Sequence, residues 1–337
     1  MRQCHFKSYL FVYLVATVFI FSDAQAFWTD QPKKINIICL NNLVGLARDR
    51  SILEKELSDL GHQVQYVNKN EENNIPSADI NIFIEHLHHE RFFPYAQQNY
   101  FIPNPEWYKE SSDLLARCDL ILCRTNDSLR IFSEMHPNIY FLNFSSLDRY
   151  QENVTKDYFK PLHSIGRSRL KGTDAVIEVW ERRLDFTKLT FLQGKRMYQP
   201  NSKNIRMSSK LISDNKFIQI QNQHGLHICP SQSEGFGHYI LEAMSTGAVV
   251  ITTDGDPMRE HIQDKRFLVR SIHEEDRNLG KKYEIDPIHL EEVVEYTLSL
   301  SREELEEIGR QNREFFLKKR DHFRKRLRDL FGEVRSL

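Results

Sequence analysis

The sequence predicts two successive α/β domains, each built on a mostly parallel sheet. Three observations predict this. A chain of 337 residues is too long for one small core and suits two domains of ordinary size. Hydrophobic residues at 40% and charged residues at 28% describe a folded globular chain, which excludes a disordered protein, a collagen-like repeat and a polytopic membrane protein. Short apolar runs alternate with amphipathic stretches, and the alternation restarts near the middle of the chain. Lys+Arg 46 against Asp+Glu 47 leaves a net charge of -1, without the basic excess of a protein built to hold nucleic acid. Five cysteines are too few for a disulfide scaffold. Cys118 and Cys123 have no second pair or histidine cluster to complete a metal site.

Residues 1–26 stand apart. Arg2 and Lys7 precede an apolar run from Tyr9 to Phe21, and Ala24-Gln25-Ala26 offers a cleavage site, the three-part pattern of a secretory signal. A cleaved signal is the first reading, an uncleaved anchor the second, a misplaced start the third. The first two imply the secretory route: the ER or Golgi lumen for a eukaryotic or viral chain, membrane association for a bacterial one. A start nearer Phe27 implies the cytoplasm. Sequons at Asn126, Asn143 and Asn153 permit glycosylation.

The first domain is expected over 27–160. Lys34–Leu40 is a buried strand, a loop through Asn41, Asn42 and Gly45 follows, and an amphipathic helix ends at Gly61. Gln63–Val67 is the next strand, completing a βαβ unit. Ile80–Glu85 and Leu120–Arg124 are further strands with a helix near Trp107–Ala116 between them; Asn126–Met135 is helical, and Ile139–Leu142 closes the half. Residues 144–161 are mixed and polar and read as the linker. The second domain is expected over 161–337. Its strands are His163–Ile165, Lys188–Gly194, Leu226–Pro230 and Val249–Thr253, with helices at Thr173–Arg183 and Tyr239–Thr246. Pro287–Leu300 and a long segment from Ser301 to about Phe331 end the chain as helices, the last opened by the capping box Ser301-x-x-Glu304. A ligand belongs outside the carboxyl ends of the strands.

Ser231-Gln-Ser-Glu-Gly-Phe-Gly-His-Tyr-Ile-Leu-Glu-Ala-Met carries the chemistry. Glu234 lies in a loop after a strand and Glu242 on the helix that follows. Gly235 and Gly237 let backbone approach a ligand closely. Amides at Gly237 and His238 open the helix and turn its positive end to the cleft, an anion site suited to a diphosphate. A carboxylate inside that helix can accept two hydrogen bonds from a vicinal diol such as a ribose, and the loop carboxylate can hold hydroxyls of another sugar.

Glu234-Gly-Phe-Gly with Glu242-Ala-Met resembles the E-x7-E motif of the retaining glycosyltransferases of family 4, over His163 to about Glu260. The resemblance implies the GT-B fold: two Rossmann-like doubly wound domains facing a cleft, with a C-terminal helix crossing back. It assigns the ribose to Glu242, the donor sugar to Glu234, and the donor phosphate and sugar to the amides of Gly235, Phe236 and Gly237. Gly166-Arg-Ser-Arg-Leu-Lys-Gly172 is similar to the family's G-R-x-x-x-K-G segment, one residue shorter. Lys171 and either Arg167 or Arg169 then neutralise the diphosphate. Gly45 sits where such proteins bring a glycine loop to the cleft. In the family a histidine of the first domain often lies near the reacting sugar, a role that falls on His86 or His88; a solvated loop histidine is the other reading.

The implied activity is transfer of a sugar from a nucleotide sugar to a glycan, lipid-linked or other hydroxyl acceptor, with retention and without metal or cofactor. Asp254-Gly-Asp256 resembles the metal motif of GT-A enzymes, but its position after the E-x7-E helix fits a family 4 loop better. Lys318, Lys319, Arg320, Arg324, Lys325, Arg326 and Arg328 give the last helix a basic face, either solvated or touching an anionic membrane surface. The rival from another class is a secreted two-lobed small-molecule binding protein without catalysis.

Overall fold

A computed structural model describes residues 28–29, 31–41, 45–70, 75–87, 90–210 and 212–334. The leader at 1–26 and His88 lie outside the described residues. After the two-residue strand β1 (Trp28–Thr29), the first sheet is formed by β2 (Lys34–Cys39), β3 (Gln63–Asn68), β4 (Ala78–Glu85), β5 (Ala96–Pro103), β6 (Leu120–Cys123) and β7 (Ile139–Phe141). All are parallel, in the order β3-β2-β4-β5-β6-β7. Their helices are α1 (Gly45–Asp59), α2 (Ser112–Leu115) and α3 (Asn126–Ser133). Ile35 through Cys39 are buried without alternation because helices cover both faces of the sheet.

The second sheet is parallel in the order β10-β9-β8-β11-β12-β13. Its strands are β8 (Asp157–Gly166), β9 (Leu189–Gln193), β10 (Ile205–Ser208), β11 (His224–Cys229), β12 (Val249–Thr253) and β13 (Leu268–Val269). The strand read as His163–Ile165 thus begins at Asp157, inside the stretch read as linker; its first residues are more polar than its buried centre, which hid them. The antiparallel hairpin β14 (Ser271–Arg277) and β15 (Gly280–Ile285) leaves this sheet and reaches the first domain. Helices α4 (Thr173–Arg182), α5 (Asp214–Gln223), α6 (His238–Ser245), α7 (Pro287–Ser299) and α8 (Arg302–Phe331) complete the domain, and β16 (Glu333–Val334) pairs with β1.

The 30-residue α8 opens with the expected capping box, Ser301 Oγ accepting from the Glu304 amide at 3.2 Å. Leu305, Phe316, Phe323, Leu327 and Phe331 recur on its buried face. The helix crosses back to the first domain. Arg324 pairs with Glu56 at 2.8 Å, Arg326 Nε donates to the Phe141 carbonyl at 2.8 Å, and Phe323 packs on Phe144 with ring centroids 4.6 Å apart. Much of its basic face is engaged within the protein: Lys319 binds Asn143, Arg320 Asp148, Lys325 Asp329 and Arg328 Glu333. Among the described residues no helix is long and apolar enough to cross a membrane.

In both sheets the strand order reverses beside the first strand, between β2 and β4 and between β8 and β11. The carboxyl ends of those strands face the cleft, where ligands of such sheets bind.

Candidate active site

The loop after β11 and the start of α6 build the second domain's face. Gly237 is the N-cap residue of α6 at φ +95°, a backbone conformation that suits glycine, and helix begins at His238. Glu234 precedes the turn. Its Oε1 accepts from Lys171 Nζ and from Ser231 Oγ. Ser231 also contacts the Tyr239 hydroxyl at 2.6 Å, and the Lys171 ammonium lies 3.9 Å from the centre of the Tyr239 ring. The segment Gly166–Gly172 therefore delivers its lysine to the loop glutamate. Left-handed backbone at Gly166 (φ +55°) and Gly172 (φ +62°) brackets the turn. Arg167 and Arg169 are exposed and form no ion pair among the described residues.

Glu242, one turn into α6, is fully buried. Arg48 Nε of α1 stands 3.2 Å from its Oε1 and Arg149 Nη2 3.6 Å, yet neither carboxylate oxygen has a hydrogen-bond partner. A buried carboxylate with unfilled acceptor sites is costly unless a ligand supplies donors.

The first domain meets this face directly. Asp49 lies on the buried stripe of α1 with Leu46, Ile52, Leu53 and Leu57. It accepts from Arg124 Nη1 at 2.8 and 2.9 Å and contacts His238 Nε2 at 2.9 Å. Burial works against its ionisation, but Arg124 and His238 outweigh burial and hold its carboxyl below the ordinary value. Arg124 also donates to Asn104, whose Nδ2 donates to Glu85 at 2.8 Å. Glu85 adopts φ +74°, strained for a residue with a side chain. His86 follows it, half-buried, with Nδ1 3.2 Å from Glu110. A polar chain thus runs from Glu85 across the cleft to His238. Asn104 and Glu106 press so closely on Gly235 that a Cβ there would lie 2.7 Å from Glu106 Oε1. The Phe236 ring is buried against Phe144, with centroids 5.2 Å apart. Gly45, the first residue of α1, is exposed and touches none of these groups.

Residues 200–315 match the family model described as glycosyl transferases group 1. The chain carries a group 1 glycosyltransferase domain. That domain is of a glycosyltransferase type, and the chain's two facing parallel-sheet domains form the GT-B fold. Sucrose-phosphate synthase from Thermosynechococcus elongatus is similar at TM-score 0.66 and 11% identity, over 89% of this chain and 98% of that one. A glycosyltransferase from Rickettsia africae reaches TM-score 0.67 at 13% identity, over 90% and 98% of the two chains. The Anabaena protein HepE, in complex with UDP and glucose, reaches 0.59 at 12% identity, over 90% and 100%. At such identities the likeness is one of fold. Comparison with curated protein sequences gave no match.

Within this glycosyltransferase fold, Glu234, Lys171 and the start of α6 come together, and Glu242 lies at the same domain interface. Asp254 and Asp256 hold Arg259, at 3.5 and 2.9 Å. A cavity of about 460 Å³ lies elsewhere, between Tyr150–Tyr158 and the α8 residues Glu306–Glu314, at the opposite ends of the strands. It contains none of the candidate residues. Sequence reasoning missed Arg48, Asp49 and Arg149, and gave no site role to Asn104, Glu106 or Arg124. One signal was available: an aspartate on the apolar stripe of α1 is buried charge, which demands a partner.

Proposed function

We propose that this chain moves a sugar from a nucleotide-diphosphate donor to a hydroxyl acceptor, with retention of configuration and without a metal. The observation that carries the reading is the buried Glu242 carboxylate on α6, whose Oε1 is ion-paired to Arg48 and Arg149 while neither oxygen has a hydrogen-bond partner, together with the Lys171–Glu234 pair before that helix. Glu242 would take the ribose hydroxyls and Glu234 the hydroxyls of the sugar. The acceptor oxygen bonds to the anomeric carbon as the bond from that carbon to the diphosphate breaks, on the same face. The acceptor's proton passes to the departing phosphate oxygen. Negative charge grows on the diphosphate, and Lys171, Arg167 or Arg169 and the amides at Gly237 and His238 stabilise it there. That fixed positive charge supplies what a divalent cation would otherwise supply. The UDP and glucose held by HepE support a nucleotide sugar as donor. The acceptor is a glycan, a lipid-linked saccharide or another hydroxyl compound.

The contacts across the cleft imply that the domains part to admit the donor and close on it. A two-lobed binding protein without catalysis is not favoured, since the matching domain is that of transferases. Titration with UDP, GDP and ADP sugars tests the reading, with Glu242→Ala as control. Loss of two hydrogen bonds to a carboxylate should weaken nucleotide binding by on the order of tenfold to hundredfold. Equal affinity in the two proteins would count against the assignment.

A further inference from the structure

Glu106 is a carboxylate that the first domain inserts against the glycine loop of the second. It is 6% exposed, its Oε2 has no hydrogen-bond partner, and its Oε1 faces Gly235. Burial pushes its carboxyl up to about 8. Its own backbone amide and Arg124 pull the other way, and Glu234 and Glu85 add to the rise. At neutral pH the group is therefore a carboxylic acid, able to donate and accept a hydrogen bond at once. A sugar hydroxyl has the same dual capacity.

The backbone around Glu106 is held from the second domain. Asn278 Nδ2 donates to the Glu106 carbonyl at 2.6 Å, and the Leu279 amide donates to the Pro105 carbonyl at 3.1 Å. The Arg277 guanidinium lies 4.4 Å from the centre of the Trp107 ring. The β14–β15 hairpin thus grips the turn Pro105–Trp107 from outside while Glu106 points inward. Such a clamp on an unpartnered buried acid is expensive for a contact that only joins two domains.

We infer that Glu106 is the group through which the first domain recognises a hydroxyl of the donor's sugar, a specificity-determining contact held in place by the hairpin. The inference rests on the nucleotide-sugar reading given above. It assigns the sugar end of the donor to Glu106 together with Glu234, and leaves the ribose end to Glu242.

Calorimetric titration of the full chain with UDP and UDP-glucose, GDP and GDP-mannose, and ADP and ADP-glucose tests it, using whichever pair the native protein binds. Glu106→Leu should leave affinity for the free nucleotide within about twofold and lower affinity for the nucleotide sugar about tenfold or more. Glu106→Gln, which still donates and accepts, should stay within about threefold of native for both. Asn278→Ala, which frees the turn and spares the carboxyl, should follow the pattern of Glu106→Leu more weakly. A native ratio of nucleotide-sugar to nucleotide affinity in Glu106→Leu and Asn278→Ala would overturn the inference. So would an equal loss for both ligands, the mark of a contact that only joins the domains. Failure of all three nucleotides and their sugars to bind the native chain would remove the transferase reading itself, and this inference with it.

Discussion

Glu260 of the second domain closes the N-terminus of a helix in the first: its Oε2 accepts from the backbone amide of Asn126 at 2.7 Å and from Asn126 Nδ2 at 3.0 Å. Its Oε1 accepts from the Asp127 amide, also at 2.7 Å. A carboxylate at that place satisfies amides that the helix cannot satisfy itself and meets the positive end of its dipole. Because the carboxylate belongs to the other domain, every opening of the cleft must break this contact.

Glu260→Ala should therefore loosen closure without unfolding either domain. The contact is worth about 1–2 kcal/mol by analogy with helix caps, enough to change an open-to-closed ratio several-fold. Small-angle scattering should give a larger radius of gyration for the variant than for the native chain without ligand. Saturating nucleotide should bring the two together. Identical scattering curves without ligand would mean that Glu260 does not hold the domains.

The fold and the second domain's face were legible in the sequence because they rest on local signals. The apolar run at Lys34–Leu40, the glycines around Glu234 and the capping box at Ser301 each act within a few residues. The first domain's contribution was not legible, for a physical reason. Asn104, Glu106 and Arg124 sit in irregular turns, and their partners are far away in sequence: Gly235 for the first two, Asp49 for the third. The hairpin Ser271–Ile285 escaped notice because its strand β14 is mostly exposed and highly charged, so it lacks the apolar alternation that marks a strand. Its second strand β15 is anchored in the second domain, with Tyr283 and Ile285 buried in the core and the Tyr283 amide donating to the Gln232 carbonyl at 2.8 Å. His86 could be placed beside Glu110 only once the turn after β4 was folded.

Arg124 should be the most costly single residue of the cleft to replace. It is buried, pairs with Asp49 through two short contacts, and spans to Asn104. Arg124→Met leaves a buried carboxylate with His238 as its remaining partner, and breaking a buried pair on one side costs about 3–5 kcal/mol. Urea unfolding should show that loss. Adding Asp49→Asn should recover part of it, because the orphaned charge goes too, and the difference from additivity measures the coupling. Fully additive losses would mean that the two side chains are independent.

The acid form of Glu106 has a consequence for stability that can be measured without any substrate. Its folded pKa is raised to about 8 from an ordinary value of 4.5 by burial, with Glu234 and Glu85 assisting and Arg124 opposing. Between those two values the unfolded chain has released the proton and the folded chain keeps it. The folded state then binds more protons, so this residue makes stability fall as pH rises through that window, by at most about 1.4 kcal/mol per pH unit. Below pH 4.5 both states are protonated and the contribution is flat; above pH 8 both are ionised and it is flat again. Glu106→Gln cannot ionise and removes the slope. Native chain and variant should therefore have similar unfolding free energies at pH 5, with the variant gaining steadily on the native chain up to pH 8. Parallel curves over that range would show that Glu106 is already ionised in the folded protein, and the dual donor and acceptor role would go with it.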